Sequence, residues 1–228
     1  MKTIVAISMM ICISSSLVAQ DAKMQNEKMM AMEKKMAMDK KNMLSMMPEI
    51  GKWPEASQMA VAEITGKYGK PDGITADELI WMNKGDWKKI CINKKETKHS
   101  FPVEHTDMMQ QTINYNVPEG KMDQLGRFDG SITFDRTQGT MSARCDMEGN
   151  NMLALNLAND IVTGKKTVEQ ARDAYADIVK EKMNGGSPEY MMKLTFSQHQ
   201  NAADPDKNTT GLTKEDVMNG IKKNMAGK

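Results

Sequence analysis

The spacing of apolar and polar positions divides the chain into segments of different character. Ile4 to Val18 forms an apolar run softened by Ser14, Ser15 and Ser16. Residues 21–47 then carry charge and methionine together, with no proline before Pro48, which predicts one exposed helix ended by that proline. Trp53-Pro54 opens a second helix, whose Val61, Ile64 and Tyr68 share a face before Gly69 and Pro71 stop it. The globular domain is placed from about residue 50.

β-rich runs follow. The stretch DELIWMN, KGD, WKKICIN reads as a hairpin turning at Gly85. Residues 94–103 are polar and predict a loop, and Thr112 to Val117 predicts a strand closed by Pro118. In SITFDRTQGTMSARC a turn at Gln138-Gly139 opposes Phe134 with Ala143. That register puts Ile132, Phe134, Met141, Ala143 and Cys145 on one face and Thr133, Asp135, Ser142 and Arg144 on the other. Such alternation fits a sheet packed on one side.

Two helices come next. Leu153, Leu157 and Ile161 recur at four-residue spacing up to Gly164. Thr167 with Gln170 forms a capping box ahead of a stripe of Val168, Ala171, Tyr175, Ile178 and Val179. Residues 191–196 predict a last strand, 200–212 a polar linker, and 213–225 a short helix with Val217, Ile221 and Met225 aligned. Strands and helices are grouped rather than alternating. The expected fold is therefore α+β: a small, mainly antiparallel sheet with a helical hairpin on one face, preceded by a Met-rich helix. The expected division is a signal peptide (1–20), a helical arm (21–49), a globular domain (50–197), and a linker with a terminal helix (198–228).

The first run, behind Lys2, has the form of a bacterial secretory signal cleaved near Ala19, and it is shorter than the roughly 20 residues a membrane span requires. Lipid attachment at Cys12 is disfavoured, because Ile11 before it is large. The mature chain is expected to be a soluble periplasmic or secreted protein that does not span the membrane. Lysine and arginine total 31 against 30 acidic residues, so no net field draws it to nucleic acid. Cys91 and Cys145 remain after processing, and an oxidising compartment permits a disulfide. Their phase against neighbouring apolar residues points them to opposite sides of their strands, which opposes one.

The 25 methionines of the 228 residues draw attention to the arm, where EKMMAM, EKKMAM and DKKNML form a six-residue repeat. Six residues fall about 120° short of two helical turns, so the repeat builds no continuous face. Even so, Met29, Met32, Met36, Met43, Met46 and Met47 fall within an arc of about 100°. Thioether sulfur suits Cu(I) or Ag(I), and Met30/Met32 and Met36/Met38 form Met-x-Met pairs. A solvated tether is the plainer reading, and contact with a partner helix or membrane surface is a third.

HSFPVEHTD concentrates His99, Glu104, His105 and Asp107, a donor set suited to Zn2+ or Cu(II), although the spacing follows no helical His-Glu-x-x-His pattern. DPDKNTTGLTKEDV resembles a degenerate EF-hand loop for Ca2+, with Asp204, Asp206 and Asn208 at its first three ligand positions and Thr209 where glycine is needed. No Gly-x-Ser-x-Gly elbow or phosphate loop is present. An enzyme would have to be hydrolase-like and built near Asp107, Asp135, Arg144 and Cys145, with Asp135 and Arg144 equally able to pair with each other.

With WMNKGDWKKI and HSFPVEHTDMMQQTINYNVP, the stretch from Phe128 to Ala176 resembles a group of uncharacterised exported bacterial proteins with a similar hairpin and helix pair. The resemblance spans residues 54–196 and implies no activity, cofactor or site. A non-enzymatic exported binding or interaction protein is the leading expectation. Metal handling through the arm is the alternative.

Overall fold

The computed structural model describes residues 23–226 except 25, 32, 43 and 46, so the leader expected over 1–20 lies outside the described residues. Its centre is an antiparallel sheet built from β1 (Gly73–Ile74), β2 (Glu78–Lys84), β3 (Trp87–His99), β4 (His105–Asn114), β5 (Thr133–Asp135) and β6 (Thr140–Cys145), in the order β1-β2-β3-β4-β6-β5. Its inner face carries the cross-strand rows Trp81, Ile90, Gln111, Ala143 and Leu79, Ile92, Met109, Cys145. Most of these side chains are apolar and all are buried, as period-two alternation demands of a face packed on a core. Met82, Lys89, Thr112, Ser142 and Thr133 form a row on the outer face.

Helices α2 (Glu55–Tyr68), α3 (Met122–Phe128), α4 (Glu148–Val162) and α5 (Val168–Met183) supply the rest of the core. The expected α+β architecture is what forms. α4 goes beyond its expected one-sided stripe: Met152, Leu153, Ala154, Leu155, Leu157, Ala158 and Ile161 are all buried, because the sheet covers one side and α5 and residues 188–196 the other. α5 starts with the expected capping box, Thr167 and Gln170 exchanging hydrogen bonds of 3.2 and 2.9 Å.

Several local expectations are corrected. β3 runs through the supposed loop to His99 because β4 begins at His105, pairing Thr97 with Asp107 and His99 with His105 beyond a bulge after Ile92. In the β5–β6 hairpin Phe134 opposes Met141 rather than Ala143. Asp135 accepts from Gln138 N at 2.9 Å and from Thr137 Oγ1 at 2.8 Å, which closes a wider turn. The shift is even, so the predicted faces survive. Residues 191–196 are no strand: buried Asn156 donates to the carbonyls of Tyr190 and Lys193 and accepts from Thr195 N, taking up the groups a ladder would need. The proposed linker docks as far as Asp206, with His199 stacked 4.2 Å from Tyr115 and Asp204 N bonded to Arg136 O. α6 (Lys214–Ala226) and the residues just before it stand exposed.

The arm, α1, is helical at the described residues between 23 and 45 and leans on the domain rather than standing free. Leu44 and Met47 pack against the core, Asp39 abuts Gly66, and Lys40 pairs with Glu55 at 3.6 Å. No helix among the described residues is long and apolar enough to cross a membrane.

A buried carboxylate ties the layers together. Glu148, 4% exposed, accepts from Lys67 Nζ, Tyr68 OH and Trp87 Nε1 at 2.5, 2.6 and 2.6 Å, and from Gln111 Nε2 at 3.3 Å. The four donors come from α2, β3 and β4, three on Oε1 and one on Oε2, so both oxygens that burial strips of water find partners.

Candidate metal centre

The extended β3–β4 hairpin sets His99 opposite His105, and their rings stand 5.0 Å apart. Two positions further along β4, Asp107 lies between them, with Oδ1 3.1 Å from His105 Nε2 and Oδ2 3.4 Å from His99 Nδ1. The side chains are 18%, 15% and 1% exposed in the order His99, His105, Asp107. One donor atom from each falls within 4.8 Å of the others. The sequence placed these residues in one segment. Only the hairpin register brings them to one point.

His105 Nδ1 sits 2.8 Å from the Val103 carbonyl oxygen, which can only accept, so Nδ1 carries the proton and Nε2 faces Asp107 and Cys145. His99 Nε2 faces Asp129 Oδ1 at 3.6 Å, and Nδ1 turns toward Asp107. Each imidazole thus has an oxygen behind it, the arrangement that orients histidine toward a cation. Two atoms at the focus, His99 Nδ1 and Asp107 Oδ1, are buried with no hydrogen-bond partner. The 3.1 Å approach of Oδ1 to His105 therefore lies off the hydrogen-bond line. Donors ~2.0–2.1 Å from a common ion stand roughly 2.9–3.4 Å apart at octahedral to tetrahedral angles, and the set, within 4.8 Å, would draw together by small side-chain rotations to share one.

Further groups crowd the cluster. Cys145 Sγ is 3.3 Å from His105 Nε2 and 3.3 Å from Asp146 Oδ1. Ser131 Oγ donates to Asp107 Oδ2, and Arg144 Nε approaches the same oxygen at 3.9 Å. Phe101 closes one side, packed on Phe128 and Tyr175 beneath the Arg172 guanidinium. Asp107 foremost, then Cys145, pushes the His105 imidazole up to about 11. Burial drives the Asp107 carboxyl upward, but the close His105 ring, the hydrogen bond from Ser131 and the nearby His99 outweigh it and hold it below the usual range. Burial raises Asp129 and also Cys145, although His105 draws the thiol back. Asp129 and Ser131 escaped the sequence reading. Nothing in the alternation of FDGSITFD marks them, and long-range packing alone brings the turn before β5 to the hairpin.

The other expected sites fare differently. Cys91 and Cys145 are both free, because Cys91 lies on the outer face beside Ile80 and Gln110 while Cys145 lies on the inner face beside Met109. The disulfide is not made. Asp135 is spent on its own turn and Arg144 leans toward Asp107, so neither their mutual ion pair nor the full hydrolase-like set assembles. In the EF-hand-like stretch Arg136 pairs with Asp204 at 3.0 Å and with Asp206, while Asn208 Oδ1 accepts from Thr210. A guanidinium thus stands against two of the carboxylates expected to hold Ca2+. On the arm, Met29, Met30 and Met38 are exposed, Met36 turns toward the domain, and Met47 packs against the core. Met32, Met43 and Met46 lie outside the described residues. Of the described stripe members, Met47 thus serves the contact with the domain, and Met36 lines the groove beside it.

No family model, curated protein or solved structure matches the chain. The resemblance expected over residues 54–196 therefore brings no chemistry to this cluster.

Proposed function

We propose that this chain is an exported, non-enzymatic binding protein that holds a divalent transition-metal cation through His99, His105 and Asp107. The observation that carries the reading is the convergence of two imidazoles and a carboxylate on one point where His99 Nδ1 and Asp107 Oδ1 are buried without partners. Two nitrogens and an oxygen suit borderline ions such as Zn2+ and Cu2+ rather than Ca2+, which takes an all-oxygen shell. Ser131 and the Val103 carbonyl hold the ligand side chains in place, and Cys145 borders the set. Export rests on the leader at residues 1–20.

A second reading is suggested by Cys145 beside His105, a thiol next to a base, although Cys145 and Asp107 both face Nε2 and no acid orients the ring from Nδ1. Against it, Cys145 is 5% exposed and burial keeps its thiol protonated, the opposite of an activated nucleophile.

The test is titration of the metal-free mature protein with Zn2+ and Cu2+, read by elemental analysis after desalting and by calorimetry. One equivalent should bind to the wild type, and His99→Ala and His105→Ala should each weaken it at least tenfold. Equal uptake by wild type and both variants, or no stoichiometric uptake, refutes the assignment. Parallel titration with Cu(I) reads the arm methionines, since His99→Ala leaves those sulfurs intact.

A further inference from the structure

Where the arm leans on the domain, it leaves a groove of about 520 Å3. Met36 and Ala37 of α1 form one wall, Ala56, Met59 and Ala60 of α2 the other, and Met147 closes the end. The volume lies in the ~300–1,000 Å3 range of small-molecule sites. Methionine is the side chain that adapts best to apolar ligands of varied shape.

The charges around these walls are not balanced. Lys35 pairs with Asp39 at 2.6 Å and Lys40 with Glu55 at 3.6 Å, so both cations of the arm wall are engaged. Glu63 and Asp146 also line the groove, and neither forms an ion pair among the described residues. The nearest domain cation, Lys67, is bound to Glu148 at 2.5 Å. Asp146 accepts only from the neutral Asn150 amide at 2.8 Å and the Cys145 thiol. Two carboxylates without counterions therefore stand among apolar walls.

We propose that this groove binds a lipophilic cation, an organic amine or quaternary ammonium whose apolar body lies along Met36, Met59 and Met147 and whose charged head meets Glu63 and Asp146. An anion of the same shape would face both carboxylates, and a neutral molecule would leave them buried deeper without compensation. A protein partner is disfavoured because the groove is walled on two sides by the chain itself. The Glu63 carboxyl, raised to about 7 by burial and by Glu148, loses its proton more readily beside an ammonium. Asp146 adds to that rise and Lys67 opposes it, while Lys35, Asp39, Lys40 and Glu55 face the same groove. Binding should therefore strengthen from pH 6 to pH 8. The site is separate from the metal centre, whose ligands do not line the groove.

The test uses the full mature chain with two fluorescent probes of one body and opposite charge, dansylcadaverine and dansylglycine, in metal-free buffer. Dansylcadaverine should bind saturably with a blue-shifted emission and at least tenfold more tightly than dansylglycine. Glu63→Gln with Asp146→Asn should erase that preference. Met59→Lys, at an exposed wall position, should reduce amine binding at least tenfold. His99→Ala should bind the amine as the wild type does, which separates a failure here from a failure of the metal assignment. Circular dichroism confirms that each variant is folded. Absence of amine binding, equal binding of the two probes, or a preference that survives the double substitution overturns the proposal.

Discussion

Trp87 Nε1 donates a hydrogen bond of 2.6 Å to Glu148 Oε1 inside the core, an acid at the start of α4 serving an indole at the start of β3. Because Lys67, Tyr68 and Gln111 share that carboxylate, its removal orphans several groups at once. Glu148→Ala should destabilise the protein by about 3 kcal/mol, and Glu148→Gln by roughly half as much, in urea melts at pH 7. A loss under 1 kcal/mol for the alanine variant would show the network to be ornamental.

Glu63 gives stability a pH dependence of defined sign. Its folded-state carboxyl is raised from 4.5 to about 7, chiefly by burial and then by Glu148, so the native state holds a proton that the unfolded chain gives up. Stability from this group is full below pH 4.5 and is lost as the pH rises to about 7, up to ~3 kcal/mol in all. Glu63→Gln should flatten that window and make the variant more stable than wild type at pH 8. Chemical denaturation at pH 5, 6, 7 and 8 reads both effects, and parallel curves for the two proteins would contradict them.

Asn156 is the peg on which residues 190–195 hang. Asn156→Ala should cost about 2–3 kcal/mol, through unpaired carbonyls at Tyr190 and Lys193 and a lost acceptor for Thr195. Hydrogen exchange should quicken in 190–196 more than in the sheet. Uniform quickening would assign the loss to α4 alone.

Arg136, itself paired with Glu119 at 2.7 Å, holds the segment after Phe196 through Asp204 and Asp206. These partners are partly exposed, so Arg136→Ala should lower global stability by no more than about 1 kcal/mol. Limited proteolysis should nevertheless cut between residues 200 and 212 several times faster, and an unchanged cutting rate would place the anchor elsewhere.

Metal should also act on stability. Zn2+ at a hundred times its dissociation constant should stabilise the wild type by about 2.7 kcal/mol, leave His105→Ala unmoved, and lose its effect on chelation. Thermal melts with and without chelator decide this, and an equal shift in both proteins would point to a different site.

Much of this protein is determined by short-range pattern. The alternation in SITFDRTQGTMSARC put Met141, Ala143 and Cys145 on the core face, and the Thr167–Gln170 box marked the start of α5, because both depend on neighbours a few residues apart. Cys91 and Cys145 showed their opposed directions by phase alone.

Tertiary structure decided the rest. Lys94 to His99 is too polar to announce a strand, and it becomes one because β4 offers a partner. The run 191–196 has strand composition but loses its backbone groups to Asn156. At the candidate centre, sequence supplied His99, His105 and Asp107 as neighbours along the chain. Only folding set their donor atoms within 4.8 Å and brought Asp129, Ser131 and Cys145 around them. A hairpin's register and a helix's lean are fixed by contacts between residues far apart in the chain, and no local periodicity records those contacts.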